Sequence, residues 1–215
     1  MSRLILPRFY PVLDTATIEA RGFGVVESAE AILEAGAKIL QVRHKSFFSR
    51  EVFQLANSVA ELCRQAGALF VTNDRADMAA LLNAALHLGQ EDLLPEDARK
   101  IVPSGTVIGF STHNEQQLRA GDREPVDYLA FGPIFATGSK ENPDPVVGIE
   151  RLRTIRGLTR KPLVAIGGIT RATAGSVLEA GADSIAIISD ICPEPMTKFG
   201  LRSRVEEWIA LCSSF

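Results

Sequence analysis

The stretch Ile39-Leu40-Gln41-Val42-Arg43-His44-Lys45 (ILQVRHK) begins apolar and ends in charge. Side chains of an extended strand alternate between its two faces, so Gln41, Arg43 and Lys45 share one face and Val42 and His44 the other. An amide and two cations in a row suit the wall of a polar pocket better than a packed interior. The flanks place this strand between helices. Upstream, EAGA (34–37) offers a glycine where a helix can end in a left-handed residue. Downstream, Val52, Leu55, Ala56, Val59, Leu62 and Cys63 recur at spacings of three and four, which leaves one apolar helical stripe.

The same alternation runs through the chain. Candidate strands are FYPVL (9–13), KILQVR (38–43), ALFVT (68–72), ALHLG (85–89), TVIGF (106–110), DYLAFG (127–132), PLVAIG (162–167) and DSIAII (183–188). Helix-ending glycines recur in QAGA (65–68) and EAGA (179–182), and a second stripe appears at Val205, Trp208, Ile209 and Cys212. Strands alternating with helices imply right-handed βαβ units and a parallel sheet. Eight units predict a single-domain (β/α)8 TIM barrel over residues 1–215, with a doubly wound open sheet as the alternative. In either fold the ligand site lies at the carboxyl ends of the strands.

Composition narrows the function classes. The chain has 215 residues, 46% of them hydrophobic and 23% charged, which is the balance of one globular domain. A net charge of -3 gives no general attraction to nucleic acid or to an anionic membrane, so an anion site has to be local. The N-terminal MSRLILPRFYPVLDT is interrupted by Pro7 and Arg8 and is too short for the apolar core of a signal peptide. No run approaches the roughly 20 apolar residues that span a bilayer. A cytoplasmic location is expected. Cys63, Cys192 and Cys212 are an odd number without a CxxC pair, which argues against a disulfide framework or a zinc site. The sequence leaves open whether the chain forms a homo-oligomer.

If the barrel rule holds, unusual polar residues should follow the strands, and they do. Arg43 and Lys45 follow the second strand, Thr72-Asn73-Asp74-Arg75 the third, Gly89-Gln90-Glu91-Asp92 the fourth and Ser111-Thr112-His113 the fifth. The sixth leads into GPIFATGSK (132–140), the seventh into Gly167-Gly168-Ile169 and the eighth into Ser189-Asp190. Arg43 can grip phosphate oxygens through its planar fork, while Lys45 and Lys140 act as point charges. Asp74 and Asp92 are hard oxygen ligands suited to Mg²⁺, which takes one or two carboxylates and fills its remaining positions with water and substrate phosphate. The glycines after the seventh and eighth strands let backbone N–H groups approach a second phosphate. The plainer alternative is a salt-bridge cluster of Arg43 and Lys45 with Asp74 and Asp92. His87 lies within apolar ALHLG, where a lone histidine is usually a satisfied core group, and His113 could orient a substrate or carry a proton.

Seven motifs in order resemble those of the thiamine phosphate synthase family: QVRHK (41–45), TNDRADMA (72–79), HLGQEDL (87–93), GFSTH (109–113), GPIFATGSK (132–140), AIGGI (165–169) and GADSIAIIS (181–189). The resemblance implies a (β/α)8 barrel that joins a phosphorylated pyrimidine, hydroxymethylpyrimidine diphosphate, to hydroxyethylthiazole phosphate, with Mg²⁺ and release of pyrophosphate. Carried onto matching positions, Gln41, Arg43, Lys45, Asn73, Ser111 and Lys140 would hold the diphosphate substrate, with His87 near the pyrimidine. Arg43, Lys45 and Lys140 would serve catalysis, and Asp74 and Asp92 would hold magnesium. Thr137, Ser139, Gly168, Ile188 and Ser189 would bind the thiazole phosphate, and Gly138 also counts as substrate-binding. The motif 41–45 as a whole, Val42 and His44 included, counts as substrate-binding on this resemblance, although alternation turns those two to the other face.

Three departures stand out. Leu82-Asn83-Ala84-Ala85-Leu86-His87 lacks the Gly-Ala-Asp-Gly usual in the family and is one residue short, which should alter a helix–strand turn rather than chemistry. Ser139 replaces a frequent threonine. Asp190 puts an anion beside the thiazole phosphate subsite, where it weakens binding unless it turns away. GSKENPDPVVG (138–148) reads either as a mobile cover or as a rigid surface loop. The alternatives in function are a thiazole tautomerase of the same fold, which uses a histidine at the position of His113, and a non-catalytic barrel that binds a thiamine precursor.

Overall fold

The computed structural model describes residues 4–138 and 144–215. Its strands are β1 (Phe9–Asp14), β2 (Ile39–Arg43), β3 (Leu69–Asn73), β4 (Ala85–Leu88), β5 (Ile108–Thr112), β6 (Tyr128–Phe131), β7 (Leu163–Ile166) and β8 (Ser184–Ile187). Between and after them run α1 (Thr15–Glu19), α2 (Val25–Glu34), α3 (Arg50–Ala66), α4 (Ala76–Leu82), α5 (Pro95–Ile101), α6 (Glu115–Gly121), α7 (Gly148–Arg156), α8 (Ala174–Glu179) and α9 (Lys198–Ser213), with a short 3₁₀ turn at Ser189–Ile191. Every neighbouring pair is parallel, and β1 pairs with β8 as well as with β2, so the sheet closes. Closure removes the doubly wound alternative.

Seven of the eight strands lie within a residue or so of their expected positions. The fifth is shifted: it runs over Ile108–Thr112 instead of 106–110. Gly105 turns the chain with φ +87°, and pairing with β4 begins at Ile108 opposite Leu86. The Asp127 carboxylate also accepts a hydrogen bond from the Ile108 backbone N–H at 2.8 Å. The shift carries Ser111 onto the strand itself, on its inner face.

Two apolar clusters divide the interior. One fills the barrel with Tyr10, Val12, Ile39, Val71, Ala85, Tyr128, Ala130, Val164 and Ala186. The other lies between the sheet and the helices, and it includes Leu13, Leu40, Val42, Val59, Cys63, Val205, Trp208 and Cys212. Both helical stripes expected from spacing therefore face the sheet. Trp208 of α9 is fully buried and stacks on Phe9 with ring centroids 5.8 Å apart. The three cysteines are free and buried, two of them in those stripes. Among the described residues no helix is long and apolar enough to cross a membrane.

Local signals account for the helix ends. Ser49 accepts from the Val52 N–H at the start of α3, and Gly67 closes that helix in the left-handed region at φ +61°. The chain enters β4 through Asn83, which takes the left-handed position at φ +50° at the end of α4. Asparagine tolerates that conformation better than other non-glycine residues.

Gly109 shows how tightly the barrel interior is filled. A Cβ there would lie 2.0 Å from the Tyr128 ring. Gly109→Ala should destabilise the protein by about 3 kcal/mol, because the buried ring has no free space to enter. Urea unfolding measures this, and an unchanged midpoint would contradict the packing.

Candidate functional site

The strand ends open into one cavity of about 740 Å³. From β2 and the loop after it come Gln41, Arg43 and Lys45; from β3 come Asn73 and Asp74; from β4 come His87 and Asp92. Ser111 of β5 joins them, and the opposite wall carries Thr137, Gly138, Gly168, Ile188 and Ser189. Thirteen of the sequence-expected site residues thus meet around one space. Ser139 and Lys140, and residues 139–143 of the expected covering loop, lie outside the described residues. Val42 and His44 do not line the cavity: Val42 packs into the outer apolar cluster, and His44 bonds Thr15 through Nδ1 at 2.8 Å. Strand alternation sends both away, so their inclusion with the 41–45 motif is corrected.

Along β2 the inner face changes from fully buried Ile39, through buried Gln41, to part-exposed Arg43. Arg43 is held by Asp14 at the end of β1, directly across the parallel register. Asp14 is buried, and its other oxygen caps α1 by accepting from the Thr17 N–H at 2.9 Å and the Thr17 hydroxyl at 2.7 Å. Sequence reasoning missed Asp14, although the polar strand-end test applied to β1 would have found it. The salt-bridge reading is therefore half correct. Lys45 pairs with Asp74, whereas Arg43 pairs with a different carboxylate.

Asp74 sits at φ +66°, which turns its side chain toward Asp92 and Lys45. Its pKa is pushed up to about 6, chiefly by burial and then by the hydrogen bond that protonated Asp74 donates to the Asp92 carboxylate, with Lys45 opposing. Asp92 also accepts from the Gly89 N–H at 2.6 Å. Two carboxylates crowded in this way favour a bound cation, since it replaces the proton they otherwise share. Among the described residues no group of three His, Cys, Asp or Glu side chains could hold a metal. A two-carboxylate site of oxygen donors fits Mg²⁺, which completes its shell with water and phosphate.

Below the charges lies a polar floor. Gln41 Nε2 donates to the Tyr10 hydroxyl at 2.8 Å, and Tyr10 meets Tyr128 at 3.0 Å. Tyr128 reaches His87 Nδ1 at 2.9 Å, and His87 Nε2 meets the Ser111 hydroxyl at 2.9 Å. Burial lowers the His87 pKa to about 4, so the ring is neutral near pH 7. The same burial raises Tyr10 to about 12. Tyr10 and Tyr128 were not expected as site residues, because FYPVL and DYLAFG read as ordinary strands. Asn73 lines the cavity, and its buried Nδ2 has no hydrogen-bond partner among the described residues. Such a donor suits a ligand.

The far wall is built from backbone. Gly168 takes φ +62°, and a Cβ there would fall 2.3 Å from the Ala136 carbonyl oxygen. Only glycine lets the loops after β6 and β7 approach so closely. Asp190 lines the cavity, yet its carboxylate accepts from Trp208 Nε1 at 3.0 Å. Arg171 Nε lies 3.3 Å away, close enough for an ion pair though not aligned as a hydrogen bond. The added anion is thereby compensated. His113 also lines the cavity, with Nδ1 bonded to the Gly132 carbonyl at 2.7 Å and Nε2 3.5 Å from Asp144.

Fold and site together define a parallel (β/α)8 barrel with a charged, carboxylate-bearing pocket at its carboxyl mouth. Residues 9–191 match the family model described as "Thiamine monophosphate synthase", and the chain belongs to that family. It is 44% identical over 216 residues to a protein of Koribacter versatilis named thiamine-phosphate synthase, with 99% of each chain covered. A Moorella thermoacetica protein of the same name is 40% identical over 171 residues, covering 79% of this chain and 81% of that one. The solved thiamine phosphate pyrophosphorylase from Pyrococcus furiosus superposes with a TM-score of 0.84 at 31% identity, covering 97% and 96% of the two chains.

The neutral, buried His87 has a consequence for stability. Between its ordinary value near 6.5 and its folded value of about 4, the unfolded chain carries a proton on His87 that the folded chain excludes. Stability from this group is therefore complete above about pH 6.5 and falls by up to about 3 kcal/mol as pH drops to about 4. Asp74, shifted upward, contributes with the opposite sign in the same range. The readout is thus a difference. The stability gap between the wild type and His87→Gln should narrow from pH 7 to pH 4 in urea unfolding, and a constant gap would remove the burial argument.

Proposed function

We propose that the protein joins hydroxymethylpyrimidine diphosphate to hydroxyethylthiazole phosphate, making thiamine phosphate and pyrophosphate. The observation that carries this reading is the arrangement of Gln41, Arg43, Lys45, Asn73, Asp74 and Asp92 around one cavity. Its relatives' names and family membership support the same activity. The two carboxylates and the unpartnered amide suit a diphosphate and its counter-ion, for which a thiazole tautomerase has no use.

The pyrimidine lies over the polar floor, with Gln41, His87 and Ser111 beneath it. Arg43, pre-aimed by Asp14, and Lys45 draw the diphosphate to the mouth through charge-assisted hydrogen bonds. Lys140, which lies outside the described residues, adds a third cation to the leaving group. Asp74 and Asp92 would hold Mg²⁺, which would supply positive charge to a leaving diphosphate. The C–O bond to the pyrimidine methylene breaks, both electrons leave with pyrophosphate, and the methylene becomes a cation stabilised by the electron-rich aminopyrimidine. Thr137, Gly168, Ile188 and Ser189 on the far wall, together with Ser139, which lies outside the described residues, hold the thiazole phosphate, so that the ring nitrogen attacks that carbon. No strong general base is needed. The chain's tasks are orientation and charge neutralisation.

Purified protein with Mg²⁺ and both substrates should release pyrophosphate and form thiamine phosphate. Release no faster than the enzyme-free blank would sink the proposal. Asp92→Ala should lower kcat by at least about 100-fold, since the charge stabilisation at stake is several kcal/mol. Circular dichroism should show an unchanged fold, and a variant that kept the wild-type magnesium dependence would take Asp92 out of the metal site.

A further inference from the structure

The five-residue chain in the barrel floor has a direction. Gln41 Nε2 donates to the Tyr10 oxygen, so the single Tyr10 hydroxyl hydrogen is left for Tyr128. Tyr128 must then give its own hydrogen to His87 Nδ1, which makes Nδ1 the bare nitrogen of a neutral imidazole. The remaining proton sits on Nε2 and is donated to Ser111 Oγ. Every hydroxyl and imidazole hydrogen between the two ends of the chain then has an acceptor, as buried polar groups require. Left over at its ends are the Gln41 Oε1 acceptor with the second Nε2–H beside it, and the Ser111 hydroxyl hydrogen as a donor. Both residues line the cavity.

Tyr128 is the only member of this chain that does not line the cavity, and it is the link between its two halves. It is completely buried, its ring fills the space that Gly109 leaves, and it lies against the His87 ring with centroids 5.6 Å apart. A phenylalanine would fill the same space. The hydroxyl therefore contributes to polarity rather than packing.

We propose that Tyr128 is a positioning residue that fixes the hydrogen-bond polarity of the site, holding His87 as its Nε2–H tautomer so that Ser111 donates and Gln41 accepts toward the substrate ring. The ring selected carries an amino N–H for Gln41 and an unprotonated ring nitrogen for Ser111. An oxo analogue offers an acceptor where the site needs a donor. This rests on the pyrimidine reading of the pocket and goes beyond it by assigning the residue that sets the polarity.

The test is ¹⁵N NMR of histidine-labelled protein without ligand at pH 7.5, the His87 signals being assigned by their loss in His87→Gln. In the wild type, His87 Nδ1 should resonate as an unprotonated nitrogen and Nε2 as a protonated one. The opposite assignment overturns the proposal without any variant of Tyr128. In Tyr128→Phe the two signals should move toward a tautomer mixture, whereas Tyr10→Phe should leave them in place, since Tyr128 still donates there. An unmoved signal in a folded Tyr128→Phe protein also overturns it. In turnover, Tyr128→Phe should raise KM for the pyrimidine diphosphate roughly five- to tenfold, with kcat and the thiazole KM little changed. The amino-over-oxo preference should fall by a similar factor. If the wild type makes no thiamine phosphate, the functional reading fails, and the tautomer measurement still decides the assignment of Tyr128.

Discussion

Closure of β8 onto β1 is the constraint on which the rest of the structure depends. It converts the two-residue alternation of each strand into an inside and an outside. On the outside, Leu13, Leu40 and Val42 meet the helices. On the inside, the wall changes character as it rises. Along β2 it passes from Ile39 to Gln41 to Arg43, and along β3 from Leu69 to Val71 to Asn73. Apolar side chains close the bottom, a hydrogen-bonded layer forms the floor, and charges ring the mouth.

The middle layer is the most demanding part energetically. A buried hydroxyl or imidazole without a partner costs about 1–3 kcal/mol, so polar residues at this depth are tolerated only as a connected set. Gln41, Tyr10, Tyr128, His87 and Ser111 meet that condition through side chains drawn from β1, β2, β4, β5 and β6. The exception among the residues lining the cavity is Asn73 Nδ2. It lies beside the charges, where a ligand would approach.

The charges at the mouth are paired before any substrate arrives. Asp14 holds Arg43 and caps α1 with the same carboxylate, while Lys45 and Asp92 converge on Asp74. Pairing of this sort adds little net stability in a partly buried setting, because desolvation offsets much of the attraction. Its effect is preorganisation. The cations are held at the mouth in fixed positions, and the crowded carboxylates favour a divalent ion over the proton they share. On the opposite wall Trp208 and Arg171 draw the Asp190 carboxylate to themselves, so its charge is compensated there.

Much of this was legible from order along the chain. Strand and helix identity follow from local periodicity and from glycines at helix ends, and the parity of Gln41, Arg43 and Lys45 follows from strand geometry alone. The motifs located Asp74, Asp92, His87 and Gly168. What the sequence by itself determined was therefore the alternation of elements, the side of each strand that faces inward, and the polar residues at one end. The tertiary structure alone decided closure over an open sheet, the starting point of β5, and the partners of the charges. Asp14 pairs with Arg43 across a register set by two strands 29 positions apart. Tyr10 and Tyr128 are separated by 118 positions. Periodicity is a property of neighbours in sequence, whereas a hydrogen-bond partner is chosen by proximity in space, which exists only once the barrel has closed.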